Sequence, residues 1–241
     1  MKIGDGMGIT HEPKRNQLLA ALPHETRDRL LAHLIPVELP QGHVIYESGG
    51  LLDHVYFPIN SIVSLLYVTA GGSSTEIGVV GNEGVVGVAL FMGGGTTPSG
   101  AVVQSTGWAY RLRVDILKCE FDLGGATQHV LLRYTQALIT QMAQTVVCNR
   151  YHSIDQQLCR WLLHRLDRLE SNDLIMTQER IADMLGVRRP SVSEAASKLQ
   201  DAGLISYAHG HIQILDRTGL EKRVCECYRV VKRESHRLLL G

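Results

Sequence analysis

Thr177, Gln178, Arg188, Arg189, Ser191, Ser193, Glu194 and Lys198 fall within one short stretch of the chain. Their chemistry suits a polyanion. Hydroxyls and cations meet phosphate oxygens, Arg offers guanine a paired donor edge, and a carboxylate accepts from cytosine. Residues 177–199, TQERIADMLGVRRPSVSEAASKL, supply the rigid mount such groups need. Ile181, Leu185, Val187, Val192 and Ala195 fill the apolar positions of two crossing helices. Ala182 falls where the crossing needs a small side chain, and Gly186 falls at the turn, which requires a left-handed residue. Pro190 sits in the first turn of the second helix, where its missing N–H is harmless. The pattern predicts a helix-turn-helix whose second helix can enter the major groove of DNA. Arg188, Arg189 and Lys198 lie opposite Val192, Ala195 and Leu199, which favours a DNA-facing surface over a merely solvated one. Beyond it, LISYAHGHIQIL (204–215) alternates around Gly210 and reads as a hairpin. His209 and His211 would sit at its tip, within reach of phosphate.

The rest of the chain must position these groups. The first dozen residues are polar and are expected to lack regular structure. Residues 14–34 carry Leu18, Leu19, Leu22, Leu30, Leu31 and Leu34 at helical spacing, with Pro23 starting the second of two short helices. From Val37 to Leu117 short β-type runs alternate with Gly, Pro, Asn and Ser, which predicts an antiparallel sandwich or barrel. From 127 to 152 the helical period returns without Gly or Pro. Leu131, Tyr134, Leu138, Gln141, Met142, Thr145 and Cys148 form one stripe of about 3.5 residues period. Such a stripe packs on the β domain or pairs with a second copy. The polar Gln141 and Thr145, which could set register, favour pairing. A further amphipathic helix follows at 153–169, and the chain closes with one basic helix from about Leu220.

Composition excludes more than it assigns. The 241 residues carry 24 basic and 24 acidic side chains. Residues 1–150 hold 10 against 12 and residues 151–241 hold 14 against 12, so any DNA footprint must be a local patch. No run is long and apolar enough to span a bilayer, and the N-terminus lacks a signal-peptide core, so the cytoplasm is expected. Five Cys without a disulfide spacing suit a reducing compartment. The first Cys is 119, which leaves no N-terminal cysteine cluster for iron and sulfur. His43, His54 and His129 define no haem site. Residues two apart on a helix point about 200° apart, so Cys225 and Cys227 are assigned to packing, and no metal or cofactor is expected. Cys148 is read as a small hydrophobe on the stripe, with oxidation across a dyad as its alternative. Neither a nucleophile elbow nor a phosphate-binding Gly-Lys-Ser/Thr motif occurs, so an enzyme is not expected.

Taken together, a short helical lead, a β domain, one long helix and the helix-turn-helix running into KLQDAGLI (198–205) resemble the Crp/Fnr family of bacterial transcription regulators. The resemblance covers about residues 15–215. It implies an α+β fold: an N-terminal antiparallel β jelly roll, a long dimerisation helix and a C-terminal winged helix-turn-helix. The corresponding segments are 1–126, 127–152 and 153–241. It further implies a homodimer on a two-fold symmetric DNA site, with RNA polymerase as a possible further partner. Arg189 corresponds to the family's guanine-reading Arg. Pro190 replaces a carboxylate that reads cytosine, and Glu194 stands where an Arg is frequent. Cyclic-nucleotide-binding members use a Glu on the ribose and an Arg-Ser pair on the phosphate. With Gly87 at the cassette's first Gly, Val88 and Pro98-Ser99 stand in those places. No Arg or Lys occurs from 77 to 110, so a buried cyclic phosphate would lack a cation. The effector is therefore left open. A regulatory or interaction module without DNA binding remains the alternative, but it leaves the helix-turn-helix unexplained.

Overall fold

The computed structural model describes residues 12–169 and 171–239. The expectation for the first dozen residues lies, Glu12 apart, outside that range. After a 3-10 turn, α1 (Gln17–Ala21) and α2 (His24–Leu31) form the lead, with Pro23 at the junction. The Asn16 side chain accepts from Leu19 N and donates to the carbonyls of Pro58 and Gly84, which ties the lead to the β domain. Leu18, Leu19, Leu22 and Leu30 are buried as expected, whereas Leu31 is exposed.

Seven strands follow: β1 (Ile35–Leu39), β2 (Val44–Tyr46), β3 (His54–Pro58), β4 (Ile62–Val68), β5 (Ser74–Val80), β6 (Gly100–Ser105) and β7 (Gly107–Arg113). They make two antiparallel sheets, ordered β1-β7-β3 and β2-β6-β4-β5. Between β5 and β6 lies α3 (Val88–Phe91), which begins at the left-handed Gly87, φ +102°. After β7 comes α4 (Val114–Asp122), an element the sequence reading did not separate from the strands. Its Glu120 forms a two-pronged pair with Arg29, 2.7 Å at both contacts, and so fastens the lead to α4.

The long helix α5 runs Gly125–Tyr151. Its stripe corrects an expectation. Leu131, Tyr134, Leu138, Gln141, Thr145 and Cys148 are all buried inside their own chain, and Met142 packs partly against the roll. The polar members have internal partners. Gln141 accepts from Val79 N at 2.6 Å and donates to Val79 O at 3.2 Å, as a neighbouring strand would along the edge of β5. Thr145 donates to Gln141 O and accepts from Arg160. Tyr134 donates to Val85 O, and its ring occupies the space that a side chain at Gly84 would need. The large hydrophobic residues of α5 left outside are Leu132, Ile139, Val146, Val147 and Tyr151.

The helix α6 (Ile154–Leu166) opens with a capping box, Ser153 with Gln156. The head comprises β8 (Asp173–Ile175), α7 (Gln178–Leu185), α8 (Arg189–Asp201), β9 (Ile205–Ala208) and β10 (His211–Ile214). The unforeseen β8 makes the wing a three-stranded sheet ordered β8-β10-β9. The closing segment is two helices rather than one. Asp216 caps α9 (Arg217–Arg223), Val224 turns extended and buries itself, and α10 (Glu226–Leu239) returns along α5. No helix among the described residues is long and apolar enough to cross a membrane.

Candidate nucleic-acid interface

The helix-turn-helix follows local rules residue by residue. Thr177 caps α7 by accepting from Arg180 N. Gly186 ends the helix at φ +66°, as the turn requires. Pro190 lies in the first turn of α8. Ile181, Ala182 and Leu185 from α7 meet Val192, Ala195, Ala196 and Leu199 from α8 in one buried core, with Val187 packed at its margin.

The outer face of α8 exposes Arg188, Arg189, Glu194 and Lys198. The guanidinium of Arg189 approaches Glu179 at 3.8 Å. Lys198 is held by Glu194 at 3.0 Å and by Asp155 of α6 at 3.5 Å, and both carboxylates raise its pKa. These acidic neighbours, Glu179 and Asp155, were not anticipated. Gln178 and Ser193 bond to each other at 2.5 Å, and Ser193 also donates to Arg189 O, so both fasten α7 to α8. Ser191 is half-buried.

The wing tip turns through His209 and Gly210, φ +51° and +82°. Positive φ at both central residues suits the right-handed twist of a hairpin. His209 and His211 are exposed there. Tyr207 donates to Met176 O at 2.7 Å and fixes the wing against the strand before α7.

The head is not free of the roll. Arg165 lies over the Trp161 ring, 3.6 Å to its centroid, and reaches Glu76 of β5 at 2.5 Å. Arg168 reaches Glu83 at 2.7 Å, and Thr75 donates to Met184 O of α7. In the cassette, Gly87 caps α3 and Val88 begins it, Pro98 O accepts from Ser48, and Ser99 pairs with Thr97. These four residues bring no cation together.

Behind the head lies a group that the sequence reading set aside. Cys148, His152, Cys225 and Cys227 place their four potential ligand atoms within 4.8 Å of one another. Cys148 is therefore not at a dyad; its sulfur lies 3.6 Å from that of Cys225. Cys225 precedes α10 rather than belonging to it, so the helical angle does not separate it from Cys227. The Cys148–Cys225 contact draws Cys225 down and, together with burial, drives Cys148 up.

Comparison with known proteins agrees with this architecture. Residues 36–118 match the cyclic nucleotide-binding domain, and residues 156–223 match the Crp-like helix-turn-helix domain. The CRP-like cAMP-activated global transcriptional regulator of Mycobacterium tuberculosis is 23% identical over 202 residues, 80% of this chain and 90% of that protein. FixK2 of Bradyrhizobium japonicum superposes with a TM-score of 0.69 at 16% identity, covering 80% of this chain and 98% of that one. The c-di-GMP responsive regulator CLP of Xanthomonas campestris superposes with a TM-score of 0.63 at 15% identity, covering 80% and 100%. The chain belongs to the Crp/Fnr family of transcription regulators. It is a DNA-binding regulator and not an enzyme.

Proposed function

We propose that the chain acts in the cytoplasm as a homodimer on a two-fold symmetric operator, without the usual cyclic nucleotide. The observation that carries DNA reading is the outer face of α8. It exposes Arg188, Arg189, Glu194 and Lys198 beside the His209–His211 wing tip, while its inner face is fully consumed. Phosphate contacts from the wing, Thr177 N-terminal to α7 and Lys198 would fix the docking, and Arg189 would read a base edge. Gln178 and Ser193 support that surface from within the motif.

Pairing falls to the outer face of α5, not to the stripe first singled out. Leu132, Ile139 and Val146 recur at heptad spacing and are exposed, which supplies one of the two apolar positions per heptad that paired helices use. The links from Glu76 to Arg165 of α6 and from Glu83 to Arg168 just beyond it give the roll a mechanical hold on the head. RNA polymerase is the partner such a regulator would meet on its promoter. Cyclic AMP and cyclic GMP are disfavoured because Val88, Pro98 and Ser99 leave ribose and phosphate without a charged partner.

The test is selection of bound sequences from random duplexes with the purified full chain, followed by gel shifts. A two-fold symmetric consensus is expected, with no enhancement by either nucleotide. Failure to retard any duplex would return the chain to the interaction-module reading. Low-micromolar nucleotide binding by calorimetry would overturn the effector assignment.

A further inference from the structure

The four residues behind the head have the composition of a closed metal centre. They arrive as two pairs. Cys148 lies in the last turn of α5 and His152 caps it, while Cys225 precedes α10 and Cys227 lies in its first turn. The sulfurs of Cys148 and Cys225 are 3.6 Å apart, and Cys227 sulfur is 3.6 Å from His152 Nδ1. A tetrahedron with Zn–S of about 2.3 Å and Zn–N of about 2.0 Å has S–S edges of about 3.8 Å and S–N edges of about 3.5 Å. Two of the six ligand–ligand distances thus already lie close to the edges Zn2+ would need, and all four atoms stand within 4.8 Å of one another.

Three further features fit a cation there. The other nitrogen of His152, Nε2, meets the Glu226 carboxylate at 3.3 Å, the partner that fixes a ligating imidazole with Nδ1 toward the metal. The site lies at the C-terminus of α5, where exposed carbonyls favour positive charge. Three thiolates and a neutral His leave a bound Zn2+ with one net negative charge. The buried Arg160 guanidinium, bonded to Thr145 three residues before Cys148, sets a positive charge against the same stretch of α5 that offsets it.

We propose that Cys148, His152, Cys225 and Cys227 bind one Zn2+ per chain and thereby pin α10 to the end of the long helix. Binding exchanges up to three thiol protons for the metal and involves no oxidant. All four positions come from the protein, so the site is structural rather than catalytic. It joins the helix proposed for pairing to the segment that closes the head.

The experiment uses tag-free full-length protein purified without chelator from zinc-supplemented medium. Elemental analysis should find one zinc per chain, released on titration of the thiols with a mercurial. Replacement by Co2+ should give thiolate charge-transfer absorption and the intense visible bands of tetrahedral coordination. Cys225→Ser should abolish stoichiometric binding, while Cys159→Ser, at a buried thiol outside the group, should retain it. Glu226→Gln keeps all four ligands and should weaken zinc roughly 10-fold in competition with a chelating dye. Because metal content is read without DNA, the result is independent of the operator assignment. Zinc well below one per chain with no tetrahedral cobalt spectrum in the wild-type chain would overturn the proposal. So would a Cys148–Cys225 disulfide in place of metal, bound iron and sulfide, or unchanged zinc in Cys225→Ser.

Discussion

The long helix and the recognition helix are built alike on the inside and oppositely on the outside. Leu131, Tyr134 and Leu138 of α5 and Val192, Ala195 and Leu199 of α8 are all buried within their own chain. Outside, α5 presents Leu132, Ile139 and Val146, whereas α8 presents Arg188, Arg189 and Lys198. An inner face states only that the helix belongs to a fold. The outer face carries the chemistry of the partner: an apolar heptad row suits another protein surface, and a cationic row suits a polyanion.

Substitution on the two faces of α5 gives the largest contrast. Leu131→Ala removes a fully buried side chain and should destabilise the chain by about 2–5 kcal/mol in urea unfolding. Val192→Ala should act in the same way on the head, with a smaller loss of about 1–3 kcal/mol because fewer atoms are removed. Ile139→Glu, one residue beyond the buried Leu138, should leave the monomer's stability within about 0.5 kcal/mol. It should nonetheless bring like charges together across the seam and raise the dimer dissociation constant at least about tenfold by light scattering or sedimentation. If Ile139→Glu stays dimeric while Leu131→Ala dissociates without unfolding, the faces have been assigned the wrong way round.

The uneven legibility of the sequence has the same physical origin. The helix-turn-helix could be read because Ala182, Gly186, Pro190 and Val192 answer to neighbours within a few turns. The strands of the roll are visible through their alternation and turn residues, whereas β8 of the wing is a three-residue strand paired with β10 far along the chain and carries no hairpin partner beside it in sequence. Polar Gln141 suggested a register-setting interface because its true partner, the edge of β5, is 62 residues away. A continuous helix would separate Cys225 from Cys227, and no Pro or Gly at Val224 announces the break between α9 and α10. Cys148 and Cys225 lie 77 residues apart and meet only after α10 folds back. A Cys-x3-His at a helix end together with a distant Cys-x-Cys was the available signal.

The recognition helix allows a finer division within one outer face. Arg189 is well exposed, with only a 3.8 Å approach to Glu179. Arg189→Ala should weaken the cognate site by roughly 1–3 kcal/mol and relax preference at one base pair per half-site. Equal weakening on cognate and random duplexes would make Arg189 a phosphate anchor instead.

Lys198→Ala should have the smallest effect. Its ammonium is already shared between Glu194 at 3.0 Å and Asp155 at 3.5 Å, so a phosphate must compete with two carboxylates. Exposed pairs of this kind are weak and screened by salt, so the competition does not forbid the contact. A point charge reads no sequence, and its loss should therefore weaken cognate and random DNA by the same factor. The log–log salt slope of binding should fall by about one unit, the share of a single neutralised phosphate. Titrations at several salt concentrations on one operator and one scrambled duplex measure both quantities. An unchanged slope would mean that Lys198 stays with its carboxylates on DNA. The outer face of α8 would then be divided into an Arg that reads and a Lys that braces α6.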